Sequence, residues 1–324
     1  MCRMYSAYSA YSNENVTDGG DMYIRSFAIP TPEIEAKLIN KRMEYNGGRF
    51  GYIDNTYPCR IFSDKAFKML SFKPVTILYG GNGSGKSTLL KLISQKLELN
   101  RIAPFNSSEL FDSYVAECSY SMHDDDDGFK QRIPNGSRII TSDDIFDYML
   151  TVRTNNQDIA EKIEEARDKW SRLVCGETVK FQGMEDYEAL RQQVLARSKS
   201  VSRRQFIRRI VGTEVKLNSN GETALEYFIQ KLKNDTLYCL DEPENSLSPK
   251  LQIELKGVIE DKAHYCGCQF IMATHSPFLL SMNEDLSNIY DLDSSPVAEK
   301  HWWELENTRT YFEFFEKNRE LFLQ

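Results

Sequence analysis

One stretch constrains this chain more than any other: Gly80-Gly81-Asn82-Gly83-Ser84-Gly85-Lys86-Ser87. It matches Gly-x4-Gly-Lys-Ser. An apolar run of buried-strand type, Pro74-Val75-Thr76-Ile77-Leu78-Tyr79, leads into it, and Leu89, Leu92, Ile93 and Leu97 follow at helical spacing. Glycines here let successive backbone N–H groups turn inward and cradle phosphate oxygens. The following helix adds its positive end. Gly80, Asn82, Gly83, Ser84, Gly85, Lys86, Ser87 and Thr88 are therefore the expected binding residues for a nucleoside triphosphate. Lys86 is expected to reach the β- and γ-phosphates, and the Ser87 hydroxyl to coordinate Mg²⁺.

A second apolar run, Leu237-Tyr238-Cys239-Leu240, ends in Asp241-Glu242. A buried strand there delivers two acids. Asp241 is suited to hold Mg²⁺ through water, and Glu242 to orient or deprotonate an attacking water. The surrounding pattern alternates: helix 223–233, strand 236–240, helix 249–262, strand 269–274. That alternation predicts a mainly parallel sheet.

With both motifs in place, the chain resembles the ABC-type ATPases. It resembles most their soluble branch of RecF-, SMC- and MutS-like proteins and the ATPase domains of overcoming-lysogenization-defect (OLD)-type defence nucleases. The resemblance covers roughly residues 50–100 and 215–285. Pro243-Glu244-Asn245-Ser246-Leu247-Ser248-Pro249 resembles the loop that crosses to the partner subunit. Phe270-Ile271-Met272-Ala273-Thr274-His275-Ser276-Pro277 resembles the strand carrying a γ-phosphate-sensing histidine, which makes His275 the catalytic partner of Glu242 and Lys86. Asn218-Ser219-Asn220-Gly221-Glu222 resembles the family signature in a Ser-x-Gly-Glu form. That form implies that Ser219 and Gly221 contact ATP held by another subunit. The same residues also read as a turn that caps a helix. The family's glutamine after the third strand is missing from Ser142-Asp143-Asp144, which reads as a helix N-cap. Tyr52, Tyr57 and Phe62 are the candidates to stack on adenine, with membership of a plain β-lobe core as the equal alternative.

The resemblance implies an α/β P-loop NTPase of ABC ATPase type. Its mainly parallel core would carry an N-terminal antiparallel β lobe, from the β-rich pattern of 22–80, and a helical insertion at about 143–211. Residues 21–324 are expected to form a single domain behind a flexible leader, 1–20. The stretch 100–136 reads as a loop-rich insertion, and Asp124 to Asp127 as a solvated loop tip. The aromatic-rich C-terminal stretch, 302–323, ends in an expected docking helix.

Charge bounds the partners. The formal net charge of −8 gives no global field for nucleic acid. Contact with DNA or RNA would have to be local. Arg191, Arg197, Lys199, Arg203, Arg204, Arg208 and Arg209 form a stretch without acids that could supply it, with a solvated helix flank as the plainer reading. No run approaches the ~18 apolar residues of a membrane helix, and the polar start lacks a secretory core. A cytoplasmic location without membrane insertion is the expectation. Seven scattered cysteines fit reduced thiols, and Cys266-Gly267-Cys268 reads as a loop or strand start rather than a zinc site.

The expected protein is thus an ATPase that closes head to tail as a homodimer on two ATP molecules. Its role would be the ATPase or sensor of a nucleic-acid-associated or anti-phage (antiviral defence) system, with a separate effector such as a nuclease. The alternative is the nucleotide-binding subunit of a membrane transporter, for which no glutamine loop or coupling surface is apparent.

Overall fold

The computed structural model describes residues 22–45, 56–102, 108–123, 132–175, 187–197, 206–207 and 219–323. They divide into two compact units, the described residues within 1–144 together with those within 225–324, and the described residues within 145–224. The leader 1–20, the acidic run Asp124 to Asp127, and Arg203, Arg204, Arg208 and Arg209 lie outside the described residues.

The first unit is built on two sheets. Its main sheet uses β3 (Val75–Tyr79), β5 (Arg138–Thr141), β6 (Leu237–Asp241), β7 (Gln269–Ala273), β8 (Ser287–Asp291) and β9 (Ala298–Glu299). The order is β5-β6-β7-β3-β8-β9, parallel throughout except for the edge strand β9. Every residue of β3 and β7 is buried. That explains their mostly apolar sequence without alternation: a parallel strand covered on both faces has no solvent side. The register places Leu78, Ala273 and Asp241 side by side across β3, β7 and β6. The residues that follow each of them therefore emerge at one edge of the sheet, where α/β folds bind ligands.

The smaller sheet is antiparallel, in the order β2 (Met69–Ser71), β1 (Ile24–Ala28), β4 (Ser119–Met122). This is the expected N-terminal lobe, with two differences from the sequence reading. Residues 22–80 are not all β-rich, because α1 (Pro32–Tyr45) occupies fourteen of them. Proline at a helix start costs no hydrogen bond, and Glu33 and Glu35 favour the positive end of the first turn. The stretch 100–136 is also more than loop. It supplies β4 and α3 (Glu109–Glu117), whose Ser108 N-cap accepts from the Phe111 amide at 3.2 Å. β4 shows little apolar patterning because its first three residues are exposed.

Gln269, wholly buried, joins the two sheets. Its Oε1 accepts from the amides of Tyr23 and Ile24 at 3.0 and 2.9 Å, and its Nε2 donates to the Ile24 carbonyl at 2.8 Å. Below the loop after β3, α2 (Lys86–Lys96) buries Leu89, Leu90, Leu92 and Ile93 in one core with Phe27, Phe62, Leu70 and Tyr114.

The second unit is helical among its described residues. It contains most of α4 (Ser142–Cys175) and all of α5 (Tyr187–Arg197). The N-cap of α4 falls one residue earlier than expected. Thr141 donates its amide and its hydroxyl to Asp144 Oδ2 at 2.8 and 2.9 Å, so Asp144 reaches back from the first turn. Arg197 of α5 donates to the Leu173 carbonyl of α4 at 3.0 Å.

Candidate functional site

The chain leaves β3 at Tyr79, turns through Gly80–Gly85 and enters α2 at Lys86. Gly83 and Gly85 have φ of 82° and 102°, backbone open to glycine and little else. A Cβ on Gly85 would also stand 2.8 Å from Phe62 Cε1 and 2.9 Å from Ile61 Cγ2. The loop therefore lies directly on the aromatic core. Phe62 itself is wholly buried, so it belongs to that core and is not free to stack on a base. Tyr57 is half-buried, packs its ring on Phe111 and donates its hydroxyl to Thr88 Oγ1 at 3.2 Å. A cavity of ≈ 360 Å³ is lined by Gly81 to Thr88 together with Tyr57, Ile61 and Glu242. Tyr52 lies outside the described residues.

Lys86 is buried, and its Nζ donates to the carbonyls of Gly80 and Gly81 at 2.7 and 3.0 Å. The ammonium is thus held in the loop's concavity by neutral acceptors that a phosphate oxygen can replace. The Ser84 hydroxyl is buried there with no hydrogen-bond partner. Ser87 Oγ donates to Asp241 Oδ1 at 2.9 Å. Burial raises the Asp241 carboxyl above its usual range, with a further push from Glu242. The Ser87 hydrogen bond and Lys91 and Lys86 oppose the shift. A hydroxyl and a carboxylate held together form the all-oxygen donor set that a hard cation such as Mg²⁺ takes, so Ser87 and Asp241 fit the metal the fold implies.

β7 ends beside both motifs. Thr274 is wholly buried, and His275 is about half exposed. Glu242 adopts φ 49°, a left-handed conformation that a non-glycine residue seldom takes. Its amide donates to the Ala273 carbonyl at 2.9 Å, and its Oε2 accepts from Asn245 at 3.2 Å. His275 Nδ1 stands 4.0 Å from Glu242 Oε1 and 3.3 Å from Glu244 Oε1. Lys86, Ser87, Asp241, Glu242 and His275, scattered along the sequence, are brought to one sheet edge.

Ser219 and Gly221 belong to the second unit. Ser219 precedes α6 (Asn220–Lys231) and forms a reciprocal cap: its amide donates to Glu222 Oε2 at 2.8 Å, and Glu222 N donates to Ser219 Oγ at 3.3 Å. These two bonds, backbone first, lower the Glu222 carboxyl below its usual range. The capping geometry read from the sequence is present, and Ser219 remains exposed.

Several residues at the site escaped the sequence reading. Lys65 Nζ donates to the Ser84 and Leu292 carbonyls at 2.8 and 2.6 Å, supporting the loop from outside. Asp293 Oδ2 accepts from the Gly81 amide at 2.6 Å. β8 pairs with β3, and the chain that leaves it delivers Asp293 to the loop. Asn307, from α9 (Glu306–Lys317), donates its side-chain amide to the His275 carbonyl at 2.7 Å and its backbone N–H to the Tyr79 hydroxyl at 3.0 Å. The expected docking helix is thus held at its first turn, while Phe312, Phe314 and Phe315 remain exposed. Glu244 follows Glu242 by two residues, and that second acid was the one signal the sequence offered.

Two family models match the sequence. One, described as ABC transporter, spans residues 69–245. The other, described as AAA domain, putative AbiEii toxin, Type IV TA system, spans residues 221–281. The chain is similar to cbiO1 from Clostridium perfringens, part of the ABC transporter complex cbiONQ, at 15% identity over 82% of this chain and 90% of that one, with a TM-score of 0.33. It is also similar to the Smc head domain from Pyrococcus furiosus, at 15% identity over 78% and 95%, with a TM-score of 0.34. A putative metal-chelate type ABC transporter in an inward-facing conformation matches at 16% identity over 74% and 78%, with a TM-score of 0.34. The curated proteins contain no match.

Proposed function

This chain belongs to the ABC transporter family as an ATP-binding domain of ABC ATPase type, and we propose that it hydrolyses ATP by closing head to tail with a second copy of itself. The observation that carries this reading is the shared sheet edge, where Lys86, Ser87, Asp241, Glu242 and His275 converge. Each has a role that its position supports. Lys86 exchanges the Gly80 and Gly81 carbonyls for phosphate oxygens, while the amides of residues 82–88 cradle the rest of the triphosphate. Ser87 and Asp241 hold Mg²⁺, which supplies charge neutralisation on the phosphates. Glu242 takes the proton of the attacking water, and His275 answers to the γ-phosphate. Tyr57 lines the cavity beside Thr88 and is the residue proposed to stack on adenine.

In this proposal one copy supplies half a site. Ser219 and Gly221 of the second copy cover the γ-phosphate, with the N-terminus of α6 adding favourable dipole. Closure and reopening then report the nucleotide state.

The proposed setting is the cytoplasm, as the ATPase or sensor of a nucleic-acid-associated or anti-phage system with a separate effector such as a nuclease. The match of residues 221–281 to a model described by a toxin system supports that choice. Arg203, Arg204, Arg208 and Arg209 are the proposed DNA or RNA contacts on sequence grounds. The second reading, a transporter subunit, draws on the description of the longer-matching model. Among the described residues no helix is long and apolar enough to cross a membrane, so such a subunit would need a membrane partner.

The test is Glu242→Gln. It should bind ATP with Mg²⁺, run as a dimer by size-exclusion chromatography with light scattering, and lose turnover. Normal hydrolysis by this variant would remove Glu242 from its role. A salt-dependent gel shift, set against co-purification with a membrane partner, separates the two settings.

A further inference from the structure

Glu244 is the most heavily engaged acid at the end of β7, and the roles above do not use it. Its side chain is 5% exposed. One oxygen, Oε1, gathers three groups: it accepts from Thr274 Oγ at 2.7 Å and from the His275 amide at 2.9 Å, and it lies 3.3 Å from His275 Nδ1. The other, Oε2, is buried with no hydrogen-bond partner. Withdrawing a carboxylate from water is costly unless its bonds are made, so one carboxylate oxygen that takes two hydrogen bonds from adjacent residues and lies 3.3 Å from the ring of the second is a specific anchor. All three groups belong to Thr274 and His275.

We propose that Glu244 is the positioning residue for His275: its Oε1 receives the Nδ1–H of the ring while fixing the backbone that carries it, and so presents Nε2 to the γ-phosphate. The inference rests on the ATPase reading of the site. The physical argument is that of a carboxylate behind a working imidazole. A proton committed at one ring nitrogen sets the tautomer and aims the other. Glu242 Oε1 is farther from the ring, at 4.0 Å, which leaves the second acid available for water. Between the two acids the chain takes a left-handed conformation at Glu242, and Glu244 meets the His275 amide and ring. His275 also lines a cavity of ≈ 410 Å³ with Gly80, Gly81, Asn82 and Asp293, the space that Nε2 would face.

The experiment uses the full chain with two readouts. The first is the nitrogen NMR spectrum of histidine-labelled protein, assigned with His275→Ala. Wild type should show a protonated Nδ1 on His275, and Glu244→Gln should lose that preference. The second is steady-state ATPase activity of Glu244→Gln, His275→Ala and the double variant. Glu244→Gln keeps an acceptor for Thr274 and for the His275 amide but removes the charge. It should lower kcat by about 10- to 100-fold, with KM for ATP little changed. The double variant should be no slower than His275→Ala alone.

An unprotonated Nδ1 in wild type would overturn the proposal. So would independent, multiplying losses in the double variant, or a Glu244→Gln defect confined to KM. If wild type shows the Nδ1–H and loses it in Glu244→Gln but turns over no ATP, the positioning stands and the ATPase reading falls.

Discussion

The Ser87 hydroxyl donates to the Asp241 carboxylate over 2.9 Å, tying the first turn of α2 to the end of β6. Burial raises the carboxyl of Asp241, so its ionised form is a cost to the nucleotide-free fold. A raised acid stabilises the fold fully below its unfolded pKa, and that contribution is lost as pH rises through the folded pKa. Asp241→Asn removes the cost while keeping an acceptor for Ser87. The nucleotide-free variant should melt higher than wild type at neutral pH, and the gap should close as pH falls into the carboxylate range. The same variant should lose the stabilisation by Mg²⁺ and ATP, about 2.7 kcal/mol for wild type at a hundredfold excess over Kd. Thermal melts with and without Mg²⁺ and ATP check both signs.

Gly85→Ala should fail twice. The backbone sits at φ 102°, and the new methyl would meet Phe62 and Ile61 below 3 Å. A loss of about 1–3 kcal/mol in urea denaturation is expected, with no binding of a fluorescent ATP analogue. Gly257 is the control. It lies inside α7 (Pro249–Tyr265) with nothing within 4 Å of an added Cβ, and Gly257→Ala should stabilise by about 0.5–1 kcal/mol.

Gln269→Leu should cost at least about 2 kcal/mol, because it removes the acceptor of two amides in a buried position. Hydrogen exchange should show the Tyr23 and Ile24 amides opening faster, while ATP binding at the opposite end of β7 survives. Exchange rates unchanged at those two amides would show that the glutamine is not what joins the sheets.

The thiols should divide by burial. Burial pushes Cys59 and Cys268 up to about 11 and Cys118 up to about 12, and it raises Cys239 further still. Cys175 is exposed. Brief alkylation near pH 8 followed by mass spectrometry should label Cys175 in the folded protein and reach these four buried thiols only after denaturation.

Much of the candidate site was legible because its chemistry is local. A phosphate loop needs glycines, a lysine and a serine within eight positions, and a strand that delivers acids ends in them. The parallel core was legible for a similar reason: β3, β6 and β7 are buried on both faces, and their residues say so without alternation. By contrast, α1 was missed although Pro32, Glu33 and Glu35 mark its start, because charged residues interrupt its apolar positions and the turn signals around it read as β-rich. β4 was missed because an exposed edge strand carries no pattern.

What the sequence singled out by itself is a set of candidate groups, Lys86, Ser87, Asp241, Glu242 and His275, and the cap at Ser219. Tertiary structure alone decided their company. The pairing of β7 between β3 and β6 sets His275 beside Glu242 and the loop. The turn after β6 brings Glu244 to the His275 amide at the end of β7, and the chain leaving β8 brings Asp293 to the Gly81 amide. The reason is physical: local chemistry depends on neighbours a few bonds away, whereas these contacts depend on which buried strands lie side by side.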